Sequence, residues 1–183
     1  FERSAPRRSK TGIDQGTFMN VGVALAAGKL WGLNKDQLAD AASLALVPNL
    51  PLRVSRWGAL SMMKGCATAF SVRNGVFAAM LAQEGFTSAP EPYAGIYGLH
   101  HITGPFELRL PLDPHGRRIV EMAYIKPIPA EGNTIGITEL APRIRAWTPL
   151  HEIESIDIEV ASGYEIHLAD EPKYDPQTRE TAD

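Results

Sequence analysis

The 183-residue chain has a single cysteine, Cys66. No internal disulfide can form, and an iron–sulfur cluster, which needs three or four Cys ligands, cannot be held by this chain alone. A reducing, cytoplasmic setting follows as an expectation. There is no His-x-x-x-His and no Cys pair, hence no metal-ligand spacing. There is also no phosphate loop and no dinucleotide fingerprint. Apolar stretches are interrupted by Lys, Arg or Asn well short of the ~18 residues of a membrane span. No apolar segment follows the basic N-terminus, so no signal peptide is read. The first 92 residues contain no histidine, since all five (His100, His101, His115, His151 and His167) come later. If the earlier part holds an active site for an anion, its general base is of another type or lies outside this chain.

What is present has a globular balance, with 44% hydrophobic and 21% charged residues and a net charge of −3. The charge is uneven. Residues 1–92 carry ten basic and six acidic side chains, and residues 93–183 carry eight and fifteen. Such asymmetry points to two units with different tasks. Residues 1–16 read as an arm or loop. Their Arg7, Arg8 and Lys10 form a solvated charge run, without the aromatic interleaving of a nucleic-acid arm, so no nucleic-acid partner is expected.

Residues 17–92 read as part of an all-helical domain. Phe18, Val21, Leu25 and Leu30 recur at helical spacing. Asn34 with Gln37 forms a capping-box signature, and Leu38, Ala41, Ala42 and Ala45 make the stripe of the helix that follows, ended by Pro48 and Pro51. Ser61 is a candidate cap for a third helix. From Gly65 to Ala82, 12 of 18 residues are apolar and cover nearly every face, as in a helix buried within a bundle. Its small residues would let neighbours approach closely, and Gly85 is a stop signal. Residues 93–117 are rich in Gly and Pro and read as a connecting loop region with one short helix near His101–Glu107.

Beyond Arg117 the period changes to two. Val120, Met122 and Tyr124, then Ile156, Ile158 and Val160, then Tyr164, Ile166 and Leu168 alternate with polar or small residues. Three strands with one wet face predict an antiparallel sheet. A helix over Asn133–Arg145, with Ile137, Leu140 and Ile144 inward, is expected between the first two. The end, Asp175–Asp183, reads as a helix that has barely begun. The fold class expected is therefore α+β, a helical bundle domain followed by a smaller sheet-containing lid over residues 118–183.

Two lysines stand out. Lys64 opens an otherwise apolar helix. It is either a side chain snorkelling from the first turn into water or a cation placed for a substrate carboxylate. Arg53, Arg56 and Arg73 lie near it in sequence, and Arg forks bind carboxylates in bidentate fashion. Lys126 precedes a rigid Pro-x-Pro turn. It is either an exposed strand-end lysine paired with Glu131 or a second carboxylate-binding cation.

The run Arg56-Trp57-Gly58-Ala59-Leu60-Ser61-Met62-Met63-Lys64-Gly65-Cys66-Ala67, then Arg73-Asn74-Gly75-Val76-Phe77-Ala78-Ala79-Met80-Leu81-Ala82 and Glu84-Gly85-Phe86-Thr87, resembles the MmgE/PrpD family. That family contains 2-methylcitrate dehydratases, cis-aconitate decarboxylases and an iminodisuccinate epimerase. Lys126 to Glu131 resembles its Lys-x-x-Pro-Ala motif. Pro176 to Asp183 resembles the segment just before its His-Ser-x-x-Tyr motif. The resemblance implies a helical domain and an α+β lid with the active site between them, a homodimer, no metal and no organic cofactor. It makes Lys64 the active-site lysine and Lys126 a lid-domain lysine facing the cleft. Arg56 and Glu131 would join both lysines in binding the substrate. Glu131 stands where the decarboxylase branch has a histidine and methylcitrate-type members have Glu, which argues against a decarboxylase. Asn133 stands where such members place a His, so that residue's role is not carried over.

The activity implied is that of a hydro-lyase on a small di- or tricarboxylate such as 2-methylcitrate, in propionate catabolism. The family's N-terminal Asp and His and its catalytic Tyr have no counterpart here. The expectation is the middle of a longer protein, with little turnover by itself. A catalytically silent oligomerising or regulatory piece, and an epimerase or isomerase on a similar acid, stay open beside it.

Overall fold

The computed structural model describes residues 11–107, 118–128, 132, 135–159 and 175–181. The chain divides into two compact units, one of Phe1–Leu110 with Thr178–Thr181 and one of Pro111–Gln177 with Ala182–Asp183.

The first unit is built on three helices that pack pairwise: α1 (Gly16–Leu30), α2 (Lys35–Leu46) and α3 (Met63–Gln83). Their ends are written in local chemistry. The Asn34 side chain accepts from the Asp36 and Gln37 N–H groups, and the Gln37 side chain accepts from the Asn34 N–H, which closes the capping box of α2. Both α1 and α3 end on a left-handed glycine, Gly32 (φ +77°) and Gly85 (φ +83°). After α3 the Gly85 N–H reaches Ala82 and the Phe86 N–H reaches the Leu81 carbonyl; after α1, Gly32 and Leu33 bond Lys29 and Gly28 in the same way. These paired bonds are the Schellman closure of orphan carbonyls. The expected Ser61 cap is not used. Met62 is the N-cap of α3, without a side-chain hydrogen bond.

Replacing Asn34 by Ala removes the acceptor for two orphan N–H groups. The expected cost is about 1 kcal/mol, read as a lower urea midpoint with an unchanged slope.

Helix contact is made by small residues. The buried stripe of α1 is Gly16, Thr17, Asn20, Ala24 and Gly28, and that of α3 is Ala67, Ser71, Gly75, Ala78, Ala79 and Ala82. The larger residues that recur at helical spacing along α1 are outside it: Leu25 and Leu30 are exposed, and Phe18 and Val21 are only partly buried. Nor is α3 enclosed on all sides, because Phe70, Phe77 and Met80 share an exposed face. The core runs through Ala24, Leu33, Ala41, Ala45, Ala78 and Ala82. A second cluster of Ile13, Leu46 and Leu99 is joined by Phe18, Tyr93 and Phe106. The short helix of the Gly/Pro-rich region is α4 (Leu99–Thr103), and Tyr93 beside it is buried enough to push its phenol above the usual tyrosine range.

The predicted α+β lid with an antiparallel sheet is overturned. Among the described residues there is no sheet, only an isolated antiparallel bridge between Ile13 and Leu52 in the first unit. Ile119–Met122 is a 3₁₀ turn, and Val120, Met122 and Tyr124 are all exposed. Ile156 and Ile158 are exposed and irregular. Val160 and the Tyr164–Leu168 run lie outside the described residues. Five residues of alternation fit a tight turn as well as a strand, and a strand further needs a ladder partner and a core beneath it. The second unit instead shows α5 (Ile135–Trp147), two residues later than expected and with Pro142 inside it. Leu140 and Ile144, read as inward, are exposed. Residues 175–181 form turns and no helix. No helix among the described residues is long and apolar enough to cross a membrane.

Candidate active site

Lys64 is the second residue of α3 and is half-buried. The helix brings no acidic residue to its first turn and no side-chain cap. Its positive end therefore carries a lysine where a carboxylate would be the favoured neighbour. The Lys64 and Gly65 N–H groups are tied back to the Ser61 and Met62 carbonyls, which fixes the first turn.

Thr68 lies four residues further on, one turn along the same face. Its Oγ1 accepts from Arg56 Nη2 at 3.2 Å. Arg56 belongs to the 3₁₀ turn Arg53–Arg56, after which Gly58 takes φ +67°. Thr68 thus brings the Arg56 guanidinium to the Lys64 end of α3. The other two arginines are engaged elsewhere. Arg53 lies over the Trp57 ring at 5.1 Å, and Arg73 over Phe70 at 4.9 Å. Arg73 is nine residues beyond Lys64, ~13 Å along a helix. It lines a groove of about 510 Å³ with Leu44, Pro48, Asn49, Phe77 and Leu81, which neither Lys64 nor Arg56 borders.

Two residues at this end carried no site signal in the sequence. Arg56 Nε donates to Asp14 Oδ2 at 2.7 Å, and that carboxylate is 2% exposed. The two residues are 42 apart in the chain, so no local spacing reports the pair. An acid two residues before a helix start was the available hint, and it reads as a cap. The second is Glu180, whose Cγ stands 3.1 Å from where a Cβ on Gly65 would be. The segment Thr178–Thr181 thereby lies beside the residue next to Lys64.

Lys126 belongs to the second unit, where it is exposed on irregular backbone; its Cε lies 4.0 Å from where a Cβ on Gly132 would be. Glu131 lies outside the described residues. Among the described residues, no group of three or more His, Cys, Asp and Glu could hold a metal ion.

The model of the MmgE/PrpD N-terminal domain matches residues 2–107, more than half of the chain. The chain belongs to the MmgE/PrpD family. No curated protein and no solved structure matches it. This MmgE/PrpD member is therefore placed in a family that includes dehydratases and other lyases. The match spans α1 to α4 and with them Asp14, Arg56, Lys64 and Thr68.

Proposed function

We propose that this MmgE/PrpD member is a cofactor-independent hydro-lyase that eliminates water from a small di- or tricarboxylate such as 2-methylcitrate. The observation that carries the reading is the pair of cations at one end of α3, half-buried Lys64 and an Arg56 guanidinium anchored one turn away on Thr68. Removing a proton from carbon beside a carboxylate pushes charge onto that carboxylate, and fixed cations stabilise it there. The C–H proton needs a base, and the departing hydroxyl needs an acid. In this reading Lys64 and Arg56 bind and polarise the carboxylates of the substrate. The position of Thr178–Thr181 against Gly65 supports the same end of α3, because that segment resembles the one preceding the family's His-Ser-x-x-Tyr motif.

The test is calorimetric titration with 2-methylcitrate and with citrate, each against its trimethyl ester, while ultraviolet absorbance follows the conjugated alkene of an elimination product. Saturable binding of the acids and not of the esters is expected. Equal binding of acid and ester, or no binding of either, overturns the reading. One observation favours a second reading, an oligomerising module: Phe70, Phe77 and Met80 leave an apolar face of α3 open. That reading predicts association that deepens with protein concentration and no response to carboxylates. An epimerase would exchange solvent deuterium into the acid without forming an alkene.

A further inference from the structure

We infer that Asp14 is a positioning residue for substrate binding: it holds the Arg56 guanidinium by its Nε edge and leaves the remaining donors to a carboxylate of the ligand. The inference rests on the reading of Lys64 and Arg56 as carboxylate binders.

Asp14 is itself hydrogen-bonded at both carboxylate oxygens and at its backbone. Its Oδ1 accepts the Gly16 N–H at 2.9 Å, at the start of α1, and its Oδ2 accepts Arg56 Nε. Its own N–H donates to the Pro51 carbonyl, and its carbonyl accepts from the Thr17 N–H. One side chain therefore joins the N-terminus of α1 to the turn that carries Arg56, and through Thr68 to α3.

Arg56 is only partly enclosed, its side chain 25% exposed. A guanidinium has five N–H donors in a rigid plane. Asp14 and Thr68 take two of them. A planar fork held at one edge presents its other edge in a fixed direction, as bidentate recognition of a carboxylate requires. Arg53 and Arg73 are stacked on aromatic faces, and neither has an ion pair among the described residues. Of these three arginines, the one tied to α3 through Thr68 is the one given a buried carboxylate.

Charge alone predicts the opposite effect. A buried anion behind Arg56 lowers the positive potential felt by an incoming carboxylate, so its neutralisation would tighten binding if geometry played no part. Positioning predicts that neutralisation weakens it. Asp14→Asn keeps the shape and leaves an acceptor for the Gly16 N–H, and it removes the charge that fixes Nε.

Citrate is titrated calorimetrically into the wild-type protein, Asp14→Asn, Arg56→Lys and the double variant, with urea midpoints to monitor folding. The expected result is about tenfold weaker binding in each single variant, the loss of roughly one charge-assisted hydrogen bond. The double variant should be no weaker than Arg56→Lys alone, because Asp14 acts only through the guanidinium. Asp14→Glu keeps the charge but moves it by a methylene; it too should weaken binding, and it carries the test if the Asn variant does not fold. Unchanged or tighter binding in Asp14→Asn overturns the inference, as do additive losses. If Lys64→Ala loses binding while Arg56→Lys does not, the functional reading stands and this inference falls. If none of the variants, Lys64→Ala included, alters citrate binding, the reading itself falls and the inference with it.

Discussion

Replacing Gly75 by alanine is expected to destabilise the helical unit by about 1–2 kcal/mol, although alanine is the better helix former. A Cβ at Gly75 would stand 2.5 Å from the backbone carbonyl oxygen of Asn20 and 2.8 Å from the Cβ of Val23. Neither atom is the far end of a flexible side chain. Asn20 is fixed further, since its Nδ2 donates to the Asn49 carbonyl at 2.8 Å. Relief requires α1 and α3 to separate, which loosens a core of small residues that depends on close approach. Overpacking of this kind costs roughly 1–3 kcal/mol, more where backbone must move. The propensity gain of ~1 kcal/mol offsets only part of it. For a chain of this size the midpoint should fall by roughly 2–8 °C. Gly22→Ala is the control: a Cβ there meets nothing within 4 Å, in the same pair of helices, and it should raise stability by up to ~1 kcal/mol. If Gly75→Ala melts with the wild type, α1 and α3 are not in contact at that level.

The contrast between those glycines shows what the sequence could and could not convey. The start of α2 and the end of α3 were legible because caps act within three or four residues: Asn34 with Gln37, and Gly85 behind Gln83, carry their geometry locally. That small residues of α3 permit close packing was legible too. Which face they occupy was not, because Phe18, Leu25 and Leu30 present the same period as Thr17, Asn20 and Ala24, and only the partner helix decides between them. The sheet failed for a related reason. The alternation of Val120, Met122 and Tyr124 is a statement about one segment, whereas a strand is a property of two. At the candidate site, the expectation for Lys64 came from the motif around it. Its neighbourhood was not, since Asp14 and Glu180 arrive from distant parts of the chain and are visible only once folded.

Replacing Lys64 by alanine should cost substrate affinity tenfold to a hundredfold and the fold less than about 1 kcal/mol. The two parts rest on different physics. In the absence of substrate, the ammonium sits at the positive end of a 21-residue helix, where a cation is disfavoured by ~0.3–1 kcal/mol. Removing it relieves that term, and alanine has the higher helix propensity. Loss of the side chain's local contacts works against both gains, and for a half-buried residue it is of similar size, so the sum stays small. With a carboxylate bound, the signs reverse. The same helix end now favours the anion, and the ammonium adds a charge-assisted hydrogen bond worth roughly 1.5–3 kcal/mol, which is the ten- to hundredfold in affinity. Lys64→Met separates packing from charge, because it keeps most of the stem and removes the cation. Both variants should bind 2-methylcitrate or citrate equally weakly while melting within about 2–4 °C of the wild type. A collapsed midpoint with unchanged affinity in the folded fraction would make Lys64 a structural residue and withdraw the cation on which the proposed chemistry depends. Full affinity in Lys64→Met with weak binding in Lys64→Ala would show that the stem matters and the charge does not.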